Sequence, residues 1–399
     1  MEKLRTAVSQ IAATPDERLR ELPIFYRFFV PILSFSSYLY RISLNLHQFL
    51  YKSTLFRLHR LPVPVISVGN LTWGGNGKTP MVEFIARFLD DLGIPPLILS
   101  RGYAGGDEAK MLRRHLLHTS AKVGVGSNRS ATAAALFERY GYMNPECSSY
   151  YQALFSPQIP GPRLKTSMIG AVILDDGFQH CSLLKDVEVV MINGLSPWGN
   201  NYLIPRGPLR EPLKALCRAQ IVFIHHADLV SYTELNAIVS AVHKISPSIP
   251  TFFSRFTPLF LFDVKNPLSK LPLSMVTDMV ILCVSAIGCP DAFIHVIKMI
   301  GPLHADRLDF SDHHSINLND IHLIRKGLAI LQNRFSIKPV VLITEKDYDR
   351  NPTILKEVND FQILVVCSSL QIIPFKDQTE EDFKMNLTKM LLYKCKTRA

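Results

Sequence analysis

The sequence predicts an α/β protein: a parallel-sheet domain of the P-loop NTPase type, a second, smaller α/β domain, and an N-terminal amphipathic helix associated with a membrane. Three observations predict it. Residues 64–79 read PVISVGNLTWGGNGKT, a β-branched run, a glycine-rich loop and the start of a helix. Short apolar runs alternate with helical stretches to the end of the chain, the pattern of parallel sheets. A stripe of apolar residues at helical spacing runs through 22–52. On these grounds the chain divides into an N-terminal segment, 1–52, a P-loop core, 53–250, a linker, 251–270, and a smaller domain, 271–399.

In the first of these stretches, Val65, Ile66, Ser67 and Val68 make the strand, and the helix is expected over 80–92. Gly74, Gly75, Asn76, Gly77, Lys78, Thr79 and Pro80 lie between and into the two. Backbone N–H groups of such a loop, with the helix N-terminus, point at an anion. Lys78 would reach the β- and γ-phosphates of a nucleotide and the Thr79 hydroxyl would ligate Mg²⁺. The usual spacing, G-x-x-x-x-G-K-[ST], places a glycine where this chain has Thr72. Gly74 and Gly75 are expected to supply the unusual backbone angles instead. The plainer reading is a glycine-rich βα turn with a lysine beside it.

The 399 residues are enough for two α/β domains. A net charge of +10 suits a membrane surface or a phosphorylated substrate. Nucleic acid ranks last, because no long Lys/Arg run and no nucleic-acid-binding motif accompanies that charge. The seven cysteines form no CxxC pair, which suits buried thiols in a reducing compartment.

Residues 1–21 are polar and helical in character. Their acids, Glu2, Asp16, Glu17 and Glu21, argue against a secretory signal and weaken a transit-peptide reading. In the following stretch Ile32, Phe35, Leu39, Ile42, Leu46 and Phe49 recur on one helix face, and Ser34, Ser37, Arg41, Asn45, Gln48 and Lys52 on the other. Arg27, Pro31 and Arg41 leave no apolar run near the ~20 residues of a membrane span. Two readings stand: a helix lying in a membrane interface, or one packed on the protein's own core.

Further on, a strand at 96–100 leads into Arg101-Gly102-Tyr103-Ala104-Gly105-Gly106-Asp107-Glu108. Glycines, an arginine, a tyrosine and two carboxylates at a strand end are where α/β sheets place chemistry, though acids also favour helix N-termini. A βα unit follows, with Asn128 and Arg129 in its loop, and then a proline-rich surface excursion at 141–166. The apolar strand 171–174 ends in Asp175-Asp176-Gly177-Phe178-Gln179-His180, which has the form of a Walker B element with Asp175 and Asp176 at Mg²⁺. Arg206 and Arg210 lie in a proline-rich loop suited to gripping an anion, or to a solvated connection. In the last third, Phe310-Ser311-Asp312-His313-His314 invites a metal, but adjacent side chains rarely chelate one ion, and a proton-handling histidine–carboxylate pair fits better. Residues 252–262 suit a linker or edge strand, and further strands are expected at 279–284, 340–344 and 363–366, with a closing helix over 380–393.

The segments VGNLTWGGNGKTP, SRGYAGGDE, DDGFQH, PRGPLREP, F-x-DHH and TEKD, in this order, resemble the tetraacyldisaccharide 4′-kinase family, the lipid A 4′-kinases. The resemblance runs from about residue 22 to beyond 350. It implies a lipid kinase that uses ATP and Mg²⁺ to phosphorylate the 4′-hydroxyl of an acylated glucosamine disaccharide 1-phosphate. It implies that Asp107 and His313 act as a catalytic pair beside Lys78. Arg101, Tyr103, Glu108, Arg129, Gln179 and Arg210 fall where the sugar and its phosphate would be met. No protein partner is implied. The enzyme would sit peripherally on a membrane: the mitochondrial inner membrane in a eukaryote, otherwise the cytoplasmic face of a bacterial inner membrane. The chain departs from the family at Asn76, at Ala109 and in the short stretch before Asp107. An ATPase or GTPase of metal insertion is the alternative, with His180, Cys181 and the Asp-His-His run as its metal clue. A membrane-binding protein keeping a relic P-loop is a third.

Overall fold

The computed structural model describes residues 2–53, 55–56, 58–102, 106–143, 167–376 and 378–396. Tyr103 and nearly all of the expected excursion at 141–166 lie outside them.

α1 (Glu2–Ala13) and α2 (Ile24–Lys52) open the chain. The P-loop half follows with β1 (Val65–Asn70), α3 (Lys78–Asp91), β2 (Pro96–Ser100), α4 (Asp107–His115), β3 (Lys122–Val125), α5 (Arg129–Tyr140), β4 (Ala171–Asp175), β5 (Val187–Asn193), β6 (Ile221–His225) and α6 (Tyr232–Ile245). β1, β4, β5 and β6 are buried along their whole length, which is why they read as continuous apolar runs. Alternation along β1 serves two cores. Ile66 and Val68 face Ile85, Leu89 and Phe383, while Val65 faces Leu97, Ala133 and Phe137. β1 lies between β4 and β5, with β2 and β3 beyond β4 and β6 beyond β5. β1 connects onward toward β2 on one side while its neighbour β5 connects toward β6 on the other, so the loop after β1 opens beside a switch point, where α/β sheets bind ligands.

The second half comprises β7 (Thr251–Asp263), β8 (Asn266–Leu271), β9 (Val280–Ser285), α7 (Pro290–Ile300), β10 (His304–Asp309), α8 (Leu318–Phe335), β11 (Val340–Thr344), α9 (Glu345–Arg350), α10 (Pro352–Glu357), β12 (Ile363–Ile373) and α11 (Glu380–Lys396). Helices cover both of its faces too: α8 packs Ile321, Ile324 and Leu328 on β9 and β11, and α7 packs Ile294 and Ile297 on the other side.

The expectation of parallel pairing throughout fails at one place. β7 pairs antiparallel with both β12 and β8. β7 and β12 are long enough to serve both halves, so a single twelve-stranded sheet runs through the segment expected as a linker. The tail also crosses back: Leu370, Ile372, Phe383, Leu387 and Leu391 join the core of the P-loop half.

α2 is amphipathic as expected, and it is its polar side that meets the protein. Ser37 donates to the Leu203 carbonyl at 2.8 Å and accepts from the Arg206 N–H at 2.9 Å. The Tyr40 hydroxyl donates to the Arg210 carbonyl at 2.9 Å, and Gln48 donates to Glu211 at 3.2 Å. The apolar face, including Phe28, Ile32, Phe35, Leu39, Leu46 and Phe49, is turned outward and exposed. Among the described residues no helix is long and apolar enough to cross a membrane.

Candidate active site

Strand register brings the carboxyl ends of both half-sheets to one place. β6 ends with His225 opposite Ser254, and β11 ends with Thr344 opposite Val366. In the antiparallel β7–β12 ribbon, Ser254 stands opposite Ile372 and Leu261 opposite Val366. The two half-sheets therefore point at the middle of the ribbon from its two ends. A cavity of about 350 Å³ lies there, with the P-loop as one wall and Gly288, His313 and Lys346 on the other.

The P-loop's shape follows from its glycines. Gly74 (φ +97°) and Gly77 (φ +77°) carry the left-handed angles, where Gly74 and Gly75 were expected to. Gly75 is needed for closeness instead: a Cβ there would meet the Cys289 Cβ at 3.1 Å. One at Gly77 would stand 2.7 Å from the His225 ring. Thr72 needs no glycine, because it is extended and bridges Leu209. Asn76, the departure from the family pattern, donates to the Thr72 carbonyl at 2.9 Å and fastens the loop across its base. Lys78 and Thr79 begin α3 and Pro80 lies in its first turn, two residues earlier than the helix expected at 80–92.

At the end of β4 the two acids have opposite environments. Asp175 is 1% exposed and its Oδ1 has no hydrogen-bond partner. Burial, with Glu108 and Asp176 nearby, raises its carboxyl to about 7. Asp176 sits at φ +52°, accepts Arg210 Nη1 on both oxygens at 2.7 and 2.8 Å, and has Lys78 Nζ at 3.7 Å. Burial opposes its charge, but Lys78 and Arg210 outweigh it and hold the carboxyl at about 2. An orphaned carboxylate oxygen this deeply buried fits a hard cation that shares its other ligands with phosphate. Thr79, Asp175 and Asp176 could hold one.

Gly106 (φ +73°) turns the chain into α4, and Asp107 at its start is 1% exposed. Its Oδ2 accepts Arg350 Nη2 at 2.7 Å and Nε at 3.1 Å, and lies 3.5 Å from His313 Nδ1. Burial opposes the charge of Asp107, and the hydrogen bonds from His313 and Arg350 overcome it, leaving the carboxyl at about 2. The same hydrogen bond raises the His313 imidazole above its ordinary value. His313 is held at φ +62°, a strained angle for a side chain of this size. Next to the pair, Glu108 accepts Lys346 Nζ at 2.8 Å. Behind both, α4 is braced to α9: Arg114 reaches Glu345 and Asp349 at 2.9 and 2.8 Å, and His115 bridges Glu83 and Glu345 at 2.6 and 2.7 Å.

Several expected substrate residues have other partners here. Arg129 is buried and donates to the Asp175 and Asp176 carbonyls at 2.8 and 3.3 Å, so it braces the acid strand. Gln179 donates to the Asn70 carbonyl at 2.9 Å. Arg210 is held by Asp176, and Arg101 is exposed at the end of β2. The Asp-His-His run divides: His313 faces Asp107, while His314 pairs with Asp320 at 2.7 Å. His180 bonds Ser182 at 3.0 Å. Among the described residues no group of three or more His, Cys, Asp and Glu is placed to hold a metal.

Sequence reasoning missed Arg350, Lys346 and the buried pair His225–His226 beneath the loop. Arg350 carried a signal, since it stands one helical turn beyond Lys346 of the TEKD segment. The histidines carried none, because only the fold brings His225 against Gly77.

A family model described as tetraacyldisaccharide-1-P 4′-kinase matches residues 29–390. A protein of Arabidopsis thaliana named probable tetraacyldisaccharide 4′-kinase, mitochondrial, is 48% identical over 395 residues, covering 99% of both chains. The tetraacyldisaccharide 4′-kinase of Syntrophus aciditrophicus is 33% identical, covering 80% of this chain and 83% of its own. The crystal structure of the Aquifex aeolicus kinase of this type, in complex with ATP, superimposes with a TM-score of 0.57 at 22% identity, covering 91% of this chain and 98% of that one. It shares the fold. With the family model spanning both walls of the cavity and every segment that frames it, the chain belongs to the tetraacyldisaccharide-1-P 4′-kinase family.

Proposed function

We propose that this chain transfers the γ-phosphate of Mg·ATP to the 4′-hydroxyl of a tetraacylated glucosamine disaccharide 1-phosphate, at a membrane surface. The observation that carries the reading is the meeting of Asp107 and His313 at the cavity that the P-loop lines. The P-loop amides and Lys78 hold the polyphosphate. Thr79, Asp175 and Asp176 would hold Mg²⁺, which when bound would neutralise phosphate charge. Phe256, Phe293 and Val296 give the cavity an apolar wall suited to a nucleobase.

In the transfer the acceptor oxygen bonds to the γ-phosphorus, and the bond to the β,γ-bridging oxygen breaks, its electron pair leaving with ADP. The hydroxyl proton goes to the His313–Asp107 pair. Since His313 and Arg350 together keep the Asp107 carboxylate weakly basic, His313 is the better acceptor, and Asp107 orients the ring and stabilises its cation. Arg210 stabilises the charge of Asp176.

The acyl chains of such an acceptor remain in a bilayer, so the enzyme must work at its surface. The outward apolar face of α2 supports a peripheral, interfacial placement. The name of the Arabidopsis relative supports a mitochondrial one. The test is transfer of labelled γ-phosphate from Mg·ATP to tetraacyldisaccharide 1-phosphate in detergent micelles. Wild type is expected to label the lipid and Lys78→Ala to leave it unlabelled. No transfer by a wild type that binds ATP would sink the reading.

A further inference from the structure

The TEKD segment carries a family resemblance, and the function above assigns it no task. Three of its members are occupied in holding structure. Thr344 Oγ1 donates to Asp347 Oδ2 at 2.7 Å, and Asp347 also accepts the Ala286 N–H and Arg350 Nη1, each at 3.2 Å. Glu345 accepts Arg114 and His115. Lys346 differs. Its side chain is 30% exposed, lines the cavity, and meets Glu108 at 2.8 Å. An ammonium has three donors. The carboxylate of Glu108 takes one, which leaves donors for an acceptor inside the cavity.

Position adds to this. Lys78 and Lys346 line the same cavity from the two halves of the protein, one at the start of α3 and the other on α9. Both cations act on the Glu108 carboxyl, Lys346 most strongly, and hold it below its ordinary value. A space flanked by two lysines, with the P-loop amides at its floor, is matched to a polyphosphate.

We propose that Lys346 is a phosphate-contacting cation of this kinase, reaching the terminal phosphate of the nucleotide from the wall opposite Lys78. The inference rests on the kinase reading above and adds a residue to it. The second half of the protein thereby completes the phosphate site, much as an arginine finger completes one in other phosphoryl-transfer enzymes. Glu108 holds the lysine in place until the nucleotide arrives.

The experiment separates this from both a structural role and the kinase reading. Equilibrium affinities for Mg·ATP and Mg·ADP are measured for wild type and Lys346→Met, with thermal melts of each. A contact to the terminal phosphate predicts that Lys346→Met weakens ATP by roughly tenfold or more and leaves ADP within about twofold, since one charge-assisted hydrogen bond is lost. It also predicts that kcat for lipid phosphorylation falls by about 10²-fold or more. Equal weakening of both nucleotides, or unchanged affinities, overturns the proposal. If Lys346→Met does not fold, Lys346→Gln, which keeps a donor to Glu108 without the charge, is held to the same two predictions. A wild type that prefers ATP over ADP yet phosphorylates no lipid would refute the acceptor and leave Lys346 to be judged on binding alone.

Discussion

Replacing Phe28, Phe35 and Phe49 together by serine tests whether the outward face of α2 is a membrane-docking surface. These side chains belong to residues 70%, 64% and 62% exposed. Full burial of a phenylalanine contributes about 1.5–3 kcal/mol, so the two-thirds still available here is worth roughly 1–2 kcal/mol each. An interfacial helix sinks its face only part way, so about half of the sum, or roughly 1.5–3 kcal/mol, is expected to be lost. That corresponds to a fall of about 10- to 150-fold in vesicle partitioning. The assay is co-sedimentation with anionic vesicles over a range of lipid concentration. Thermal melting is expected to change little, since exposed positions move stability by about 0.5 kcal/mol or less. Phosphorylation of a short-chain, water-soluble acceptor is expected to persist while that of a vesicle-embedded one falls. Unchanged partitioning would refute the reasoning, and so would a large drop in melting temperature, which belongs to a face packed on protein.

If His313 is the proton acceptor, the acid limb of the kcat–pH profile lies above the ordinary histidine value of about 6.5. His313→Gln would abolish that limb and lower kcat by about 10²- to 10⁴-fold. An acid limb absent down to pH 4 would assign the proton to Asp107 instead. For His115, burial opposes the charge, but Glu345 and Glu83 raise the imidazole to about 9. Its folded value exceeds its unfolded one, so its contribution, up to about 3 kcal/mol, is fully present below pH 6.5 and disappears as the pH rises through 9. Urea unfolding should therefore separate wild type from His115→Gln more at pH 6 than at pH 9.5, and an equal gap at both would count against the ion pairs. Asn76→Ala removes the tie to Thr72 and is expected to cost about 1 kcal/mol of stability and to raise KM for ATP several-fold, with kcat less affected. An unchanged KM would show that the loop keeps its shape without that amide.

Much of the fold was legible because local chemistry and global position agreed. The β1 loop, the acids ending β4 and the alternating strands are each set by short-range rules: buried parallel strands read as apolar runs, and glycines mark the turn between strand and helix. The antiparallel β7–β12 ribbon was not legible. Pairing direction depends on which strands meet across more than a hundred residues, and nothing local in 251–263 distinguishes a linker from a long strand shared by two half-sheets. The site follows the same division. Lys78, Thr79, Asp175 and Asp176 sit on one βαβ framework and could be placed together. Arg350 at Asp107 and Lys346 at Glu108 come from the far half, and only the ribbon brings them in. The present partners of Arg129 and Gln179 were not legible for a related reason. A polar side chain at a strand end meets either a ligand or an unpaired main-chain carbonyl, and residue type does not say which.

If α2 docks on a membrane and Asp176 helps to hold Mg²⁺, as proposed above, the orientation of α2 links the two. A helix with Phe28, Phe35 and Phe49 exposed gives up burial that packing on its own core would supply. Its polar face instead forms specific hydrogen bonds, and their partners are not scattered. Ser37, Tyr40 and Gln48 meet Leu203, Arg206, Arg210 and Glu211, all in one loop. The backbone of Arg210 is gripped by Tyr40 while its side chain grips Asp176 with both carboxylate oxygens. One residue therefore joins the helix to the acid beside Lys78. A surface that draws on the outer face of α2 pulls on the loop that sets Asp176. Tyr40→Phe, which leaves the outer face intact, should then weaken Mg²⁺-dependent ATP binding while leaving vesicle partitioning unchanged. If it alters neither, the helix and the ion site are merely neighbours.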